Sequence, residues 1–155
     1  MKKSFCLNYF CLVLVFLSIT FLTGCFSSPE GTLQEFKKAM DSKNGEKMWS
    51  LLSSNDHKFY EKMVDEEKAN ASKNPDHVKN MGLTQEELAK MTAKDLFVKM
   101  MKNAPDSPNA GKELQIRSVT KSKDKAVIFV ENNPNGFTLI KENGFWKVSM
   151  VGEAK

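Results

Sequence analysis

Asn143-Gly144 is the feature of this sequence that most constrains its fold. The dipeptide separates two runs in which apolar and polar residues alternate, Phe137–Lys141 and Phe145–Val151. A two-residue hairpin turn needs positive φ at both positions, and Asn-Gly tolerates that conformation. The pattern therefore predicts an antiparallel β-hairpin.

The length of this turn also fixes the register of the hairpin. Because facing residues count outward from a two-residue loop, Leu139 should pair with Val148 and Phe137 with Met150. The other predicted pairs are Glu142 with Phe145 and Lys141 with Trp146. One face of the hairpin then carries Phe137, Leu139, Trp146, Val148 and Met150.

Two further strands are predicted before the hairpin, at Leu114–Val119 and Lys125–Glu131. The segment Ala126–Val130 is apolar throughout, which predicts a central strand. Val119 breaks the alternation of the first strand and indicates a β-bulge. Since the outer face of the hairpin is mixed in polarity, we expect an antiparallel sheet that helices cover on one side.

The first helix has two candidate start positions. Ser28 can cap it with Pro29 in the first turn, or Thr32 can cap it with Glu35 as a capping box. Asn44-Gly45 predicts its end, because glycine adopts the left-handed conformation that closes helices. A second short helix should follow, carrying Met48, Trp49, Leu51 and Leu52.

The stretch Ser53–Gly82 is polar, and Asn74-Pro75 interrupts any apolar stripe. We therefore expect broken helix and exposed loop there. A capping box of Thr84 with Glu87 predicts a helix after this stretch, and Thr92 with Asp95 is a candidate point at which that helix restarts.

The N-terminus has the three parts of a secretory signal. Lys2 and Lys3 give a basic start, Phe10–Phe21 is almost wholly apolar, and small residues precede Cys25. An apolar run this short falls below the ~20 residues that a bilayer-spanning helix needs. The segment Leu22-Thr23-Gly24-Cys25 resembles the lipobox of bacterial lipoproteins.

The lipobox resemblance implies cleavage between Gly24 and Cys25 and a diacylglyceryl thioether, of the palmitate type, on the Cys25 sulfur. The chain would then divide into a removed signal peptide (1–24), a lipidated cysteine with a short tether (25–28) and one α+β domain (29–155). Two or more acyl chains hold a protein stably on a membrane. An aspartate after the cysteine favours inner-membrane retention in many Gram-negative lipoproteins, so Phe26 favours the outer membrane. The alternative is an ordinary signal peptide in which a cysteine occurs by chance.

Cysteine and charge counts exclude several classes of function. Cys6 and Cys11 lie in the removed segment and Cys25 would carry lipid, so we expect no disulfide, thiolate nucleophile or cysteine-rich metal site. Loss of Lys2 and Lys3 leaves 21 of the 23 basic residues against 19 acidic ones. This near-neutral balance gives no reason to expect nucleic acid as a partner.

Helices followed by an antiparallel meander are the element order of the nuclear transport factor two-like superfamily, the cystatin-like α+β cones. The chain resembles its small bacterial lipoprotein members at Pro29–Leu52 and at Asn143–Val148. The resemblance implies a curved sheet around a conical pocket, which members use for binding, assembly or catalysis. The candidate lining residues of that pocket are Trp49, Phe97, Phe137, Leu139, Trp146, Val148 and Met150.

Few residues suit catalysis. His57 and His77 each follow an aspartate in a polar stretch, which is typical of exposed helix-start residues, and Tyr60 is the one tyrosine of the mature chain. No metal-ligand spacing is present, and we expect no cofactor. The leading hypothesis is a non-catalytic, lipid-anchored envelope protein that binds a partner protein or a small apolar ligand. A pocket enzyme of the isomerase, dehydratase or hydrolase type, using Asp or His from the middle segment, is the competing hypothesis.

Overall fold

A computed structural model describes residues 28–71, 73, 75–80, 82–131 and 133–151, with the backbone alone for residues 75, 77 and 80. The described chain is α+β, with helices followed by a four-stranded antiparallel sheet. The helices are α1 (Pro29–Asp41), α2 (Gly45–Leu51), α3 (Ser54–Ala71), α4 (Pro75–Asn80), α5 (Gln85–Lys90) and α6 (Ala93–Asn103). The strands are β1 (Ile116–Lys121), β2 (Lys125–Val130), β3 (Asn133–Glu142) and β4 (Phe145–Ser149).

The sheet is a meander in the order β1-β2-β3-β4, so the prediction of four antiparallel strands with an internal β2 is confirmed. Alternate residues of β2 are buried, and its other residues are half-buried, as expected for a sheet covered on one face. The sheet is not strongly curled, so the cone that the superfamily resemblance implies is not confirmed. The bulge was predicted at Val119. The register of β1 shifts slightly earlier, between Ile116 and Ser118.

The predicted register of the last hairpin is confirmed from the turn outward to Thr138 and Ser149. Leu139 faces Val148 and Lys141 faces Trp146, and Asn143 adopts the positive φ that the turn requires. The predicted pair of Phe137 with Met150 does not form. The physical reason is that the Val151 N–H, which would have to donate to β3 for this pair to form, donates to the Asp56 carboxylate instead.

Helix α1 begins at the first of its two candidate caps. The Ser28 hydroxyl accepts from the Gly31 N–H at 3.0 Å, whereas Thr32 is buried inside the helix. The predicted closure at Asn44-Gly45 is wrong, because α1 ends at Asp41 and Asn44 caps α2. Gly45 instead allows a close approach, since a Cβ there would lie 2.9 Å from the Val98 Cα.

The expectation of broken helix and exposed loop is wrong for Ser54–Ala71, which is one continuous helix. Ser53 and Asp56 form a capping box at its start, with the Ser53 hydroxyl accepting from the Asp56 N–H at 3.2 Å. Tyr60, Val64 and Ala71 are buried along one side of α3. The stripe was hidden in the sequence because its first buried member is an aspartate. The capping box predicted at Thr84 is confirmed, and the helix restarts at Thr92, which forms a second capping box with Asp95.

The core has a main cluster and a satellite cluster. The main cluster joins α1, α2, α3 and α6 to the covered face of the sheet, and Leu52, Phe97 and Leu139 are fully buried in it. The satellite cluster consists of Ala71, Val78, Leu83 and Leu88 and holds α4 and α5 against the end of α3. Stability of the sheet therefore depends on α1, α2, α3 and α6 together.

The side chain of Asp56 joins the start of α3 to the end of β4. It is fully buried, and its Oδ1 accepts from the Met150 N–H at 3.0 Å and the Val151 N–H at 2.7 Å. Its Oδ2 accepts from the Ser53 hydroxyl. Beside it, the Ser53 N–H donates to the Val148 carbonyl at 2.9 Å, and Leu52 bridges Val148 in parallel. The outer edge of β4 is thus covered by the α2–α3 connection.

Replacing Asp56 tests this connection. Asp56→Ala leaves two backbone donors and a buried hydroxyl without their acceptor, so we expect a loss of about 3 kcal/mol in the free energy of unfolding. Urea denaturation followed by circular dichroism measures the change. Asp65→Ala, on the exposed side of the same helix, should change stability by less than about 0.5 kcal/mol. Equal effects of the two substitutions would contradict the role given to Asp56.

Candidate functional site

A cavity of about 510 Å³ lies between α1, the loop before β1 and the β2–β3 end of the sheet. Its size falls in the range of ligand pockets in proteins. The apolar lining residues are Leu33, Phe36, Met40, Leu114, Val130 and Phe137. The polar and charged lining residues are Lys37, Ser107, Asn109, Lys112, Glu113, Gln115, Glu131 and Asn133.

One face of α1 forms a wall of the cavity. The wall consists of Leu33 and the residues three, four and seven positions after it, which are Phe36, Lys37 and Met40. This spacing places all four on the same side of a helix. Leu33 is buried in the core, whereas Met40 is 37% exposed. The wall therefore runs from the core to the surface, and the cavity opens near the end of α1.

Lys37 and Asp41 join this end of α1 to the loop before β1. The Lys37 amine lies 2.5 Å from Asp41 Oδ2 and also donates to the Asn109 carbonyl at 3.0 Å. The same Asp41 oxygen accepts from the Gly111 N–H at 3.0 Å. Both side chains are largely buried, with 11% of Lys37 and 20% of Asp41 exposed. The pair fixes the loop that forms the opposite wall of the cavity.

Asp41 keeps its charge to lower pH than an ordinary aspartate does. The hydrogen bond from Lys37 lowers the pKa of the Asp41 carboxyl below the ordinary value of 3.8, and the Gly111 N–H lowers it further, against the opposing effect of burial. Asp41 Oδ1 is buried and has no hydrogen-bond partner within the described part of the chain. Asp41 also borders a second depression of about 600 Å³, on the other side of the Lys112–Leu114 segment.

The predicted pocket residues are divided between three places. Phe137 lines the cavity. Met150 is 52% exposed on the surface. The others belong to the main core cluster: Trp49, Phe97, Leu139, Trp146 and Val148. They come together in the structure, but as core packing beside the cavity. The sequence analysis did not predict the cavity walls that α1 and Leu114 form. The helical spacing of Leu33, Phe36 and Met40 was nevertheless visible in the sequence.

His57 is half-buried and away from the cavity. Its ring stacks on Trp49 with centroids 4.2 Å apart, and Nε2 lies 3.0 Å from the Trp49 carbonyl oxygen. The expected exposed position is therefore wrong for His57, because the ring packs back on α2. The His77 side chain lies outside the described residues. Burial, with the charge of Asp56, raises the pKa of the Tyr60 phenol above its ordinary value of 10.0.

No group of three or more His, Cys, Asp or Glu side chains among the described residues could hold a metal ion. None of the described helices has both the length and the apolar composition to cross a bilayer. Cys25 and Gly24, the predicted lipidation and cleavage positions, lie outside the described residues. Comparison with known protein families, with curated proteins and with solved structures finds no match for this chain.

The change in the free energy of unfolding at acidic pH tests the ion pair at the cavity. Because the pKa of Asp41 is lower in the folded protein than in the unfolded chain, its contribution is complete above the unfolded value of 3.8 and is lost as the pH falls through the folded pKa. We expect Asp41→Asn to cost roughly 2 kcal/mol at neutral pH. The difference between wild type and variant should shrink as the pH falls below about 4.

Urea midpoints measured across that pH range provide the check. Asp65→Asn is the matched control, since Asp65 is exposed on α3. A difference between wild type and Asp41→Asn that stays constant with pH would contradict the assignment.

Proposed function

We propose that this protein is a lipid-anchored lipoprotein of the bacterial cell envelope, and that its α+β domain binds a small apolar ligand or a partner segment without catalysing a reaction. The observation that carries the binding function is the cavity of about 510 Å³ with six apolar lining residues. The lining also contains eight polar or charged residues, and ligand sites usually combine apolar walls with polar groups that orient the ligand. The ligand class follows from the apolar walls.

The membrane attachment rests on the lipobox-like segment that ends at Cys25. Helix α1 begins at Pro29, so only residues 26–28 separate the cysteine from the domain. At ~3.3–3.6 Å per residue this tether extends about 10 Å. The domain would therefore work next to the bilayer, in the outer membrane by the argument from Phe26. The order of helices and strands agrees with a nuclear transport factor two-like lipoprotein, which we propose as its relationship.

The competing hypothesis, a pocket enzyme, has less support from the cavity. Proton transfer in the cavity would need an acid or base on its walls that is free to react. Lys37 is held by Asp41 and the Asn109 carbonyl, and Glu131 lies 3.9 Å from Arg117. The other charged lining residues, Lys112 and Glu113, are exposed to solvent at the edge of the cavity. The one buried carboxylate of the middle segment, Asp56, has both oxygens in backbone and hydroxyl contacts. Binding is therefore the function that we propose.

Lipidation is tested by intact mass and by detergent partitioning of the expressed protein. Wild type should lose residues 1–24, gain the mass of a lipid and enter the detergent phase, whereas Cys25→Ala should do none of these. Cys11→Ala is the matched control, because it changes a cysteine inside the segment that would be removed. A wild-type protein with a free Cys25 thiol would overturn the proposed anchor.

Ligand binding is tested by adding N-phenyl-1-naphthylamine, a neutral apolar probe, to the lipidated protein. Nuclear magnetic resonance then follows the chemical shifts of the methionine methyl groups. The aromatic probe should shift the Met40 methyl, which lines the cavity, and leave the Met100 methyl unchanged, although both side chains are similarly exposed. Leu114→Trp, which fills the cavity, should abolish the Met40 shift. Val119→Trp is the control, because Val119 is half-buried like Leu114 but does not line the cavity. Saturable shifts that survive Leu114→Trp would contradict this site.

A further inference from the structure

Both hairpin turns that close adjacent strands lie at the same end of the sheet. In this meander the β1–β2 turn and the β3–β4 turn share one end, and the β2–β3 turn beside the cavity is at the other. The two turns touch, since the Lys141 N–H donates to the Asp124 carbonyl at 2.8 Å. We call this end the hairpin surface; its basic and aromatic members are Lys121, Lys123, Lys125, Lys141 and Phe145.

The hairpin surface has an excess of positive charge. Its four lysines face two acidic side chains, Asp124 and Glu142. The Glu142 carboxylate is already engaged, because it accepts from the Ser54 N–H at 3.0 Å and from the Ser54 hydroxyl at 2.8 Å at the start of α3. No ion pair of the described residues includes Lys121, Lys123 or Lys141. Since the mature sequence is nearly neutral, this concentration of charge at one end is a local property.

Trp146 positions two of these charges. The Lys121 amine lies 5.4 Å and the Lys141 amine 5.9 Å from the centroid of the Trp146 ring, so the two amines are within about 11 Å of each other. A cation–π contact attracts an ammonium group to a ring without neutralising it. Trp146 is only 5% exposed, because it belongs to the main core cluster. The two lysines are therefore held close together while their charges are retained.

Phe145 lies at the first position of β4, next to the turn, and is 58% exposed. It is more exposed than the other large apolar residues of the described chain. Phe145 pairs with Glu142, on the face of the sheet opposite Trp146, so it lies across the end of the sheet from Lys121 and Lys141. Peripheral proteins combine an exposed aromatic side chain with basic residues at the boundary between headgroups and acyl chains. Nucleic acid would account for the lysines, but not for a membrane tether or for this exposed ring.

We propose that the hairpin surface docks on the anionic phospholipid headgroups of the membrane that holds the lipid anchor. This inference rests on the proposed lipid attachment of Cys25, which brings the domain within about 10 Å of the bilayer. Negatively charged bilayers attract basic clusters over about a Debye length, which is about 10 Å at 0.1 M salt. Docking would fix the orientation of the domain, which the tether alone leaves free.

The test uses lipidated protein on vesicles of neutral phosphatidylcholine, with or without anionic phosphatidylglycerol, each carrying a nitroxide on a fraction of the headgroups. A fluorophore is placed on the hairpin surface through Ser122→Cys, or at the opposite end of the sheet through Asn135→Cys; both positions are exposed. Headgroup nitroxide should quench the Ser122 label more than the Asn135 label on anionic vesicles. The excess should disappear on neutral vesicles, and at about 1 M salt, where the Debye length is about 3 Å.

Charge variants separate docking from the effect of the label. The pair Lys121→Gln with Lys123→Gln should lower quenching of the Ser122 label to the level of the Asn135 label. The control pair, Lys58→Gln with Lys102→Gln, changes exposed lysines elsewhere and should leave it unchanged. Equal quenching at both ends on anionic vesicles would overturn the docking while leaving the anchor intact. Protein that does not float with vesicles of either composition would overturn both.

Discussion

The buried carboxylate of Asp56 connects the helical part of the chain to the last strand, and the arrangement of the sheet depends on it. A buried charge is tolerated only when its oxygens are supplied with donors, and here the donors come from Ser53 and from Met150 and Val151, more than ninety residues away along the chain. The contact can form only when α3 and β4 are both in place. It ends β4 at Ser149 and holds Leu52 and Ser53 along the outer edge of that strand. Among the described residues, no strand pairs with the outer edge of β1.

A second polar contact shapes the cavity at the other side of the domain. Helix α1 packs on the sheet through Leu33 and Phe36, but its last turn is joined to the loop before β1 by Lys37 and Asp41. The backbone of this loop accepts from Lys37 at Asn109 and donates to Asp41 at Gly111. Held in this way, the loop does not fill the space above the β2–β3 end of the sheet. The cavity therefore lies where apolar packing of α1 gives way to polar attachment.

Local sequence patterns predicted the turns and helix ends that depend on neighbouring residues. The elements that these patterns did not predict depend on contacts between distant parts of the chain. Asn143-Gly144 determined the register of the last hairpin, the capping box at Thr84 marked the start of α5, and Thr92 with Asp95 marked the restart as α6. Helix α3 was missed because its buried stripe begins with Asp56, whose burial is explained only by donors at the end of β4. The apolar face of the hairpin was correct, but most of its residues pack into the core. The cavity instead depends on how far α1 and the loop stand from the sheet, which no local pattern contains.

The cavity and the hairpin surface lie at opposite ends of the same strands, and this separation bears on how a ligand would arrive. Strand β2 begins at Lys125 on the hairpin surface and ends at Val130 on the cavity wall. At about 3.3 Å per residue, the two ends are roughly 17 Å apart. With the hairpin surface on the bilayer, the cavity would open away from the membrane, towards the aqueous phase. A ligand would then reach it from solution or as a segment of a soluble partner, which argues against a lipid drawn directly from the bilayer.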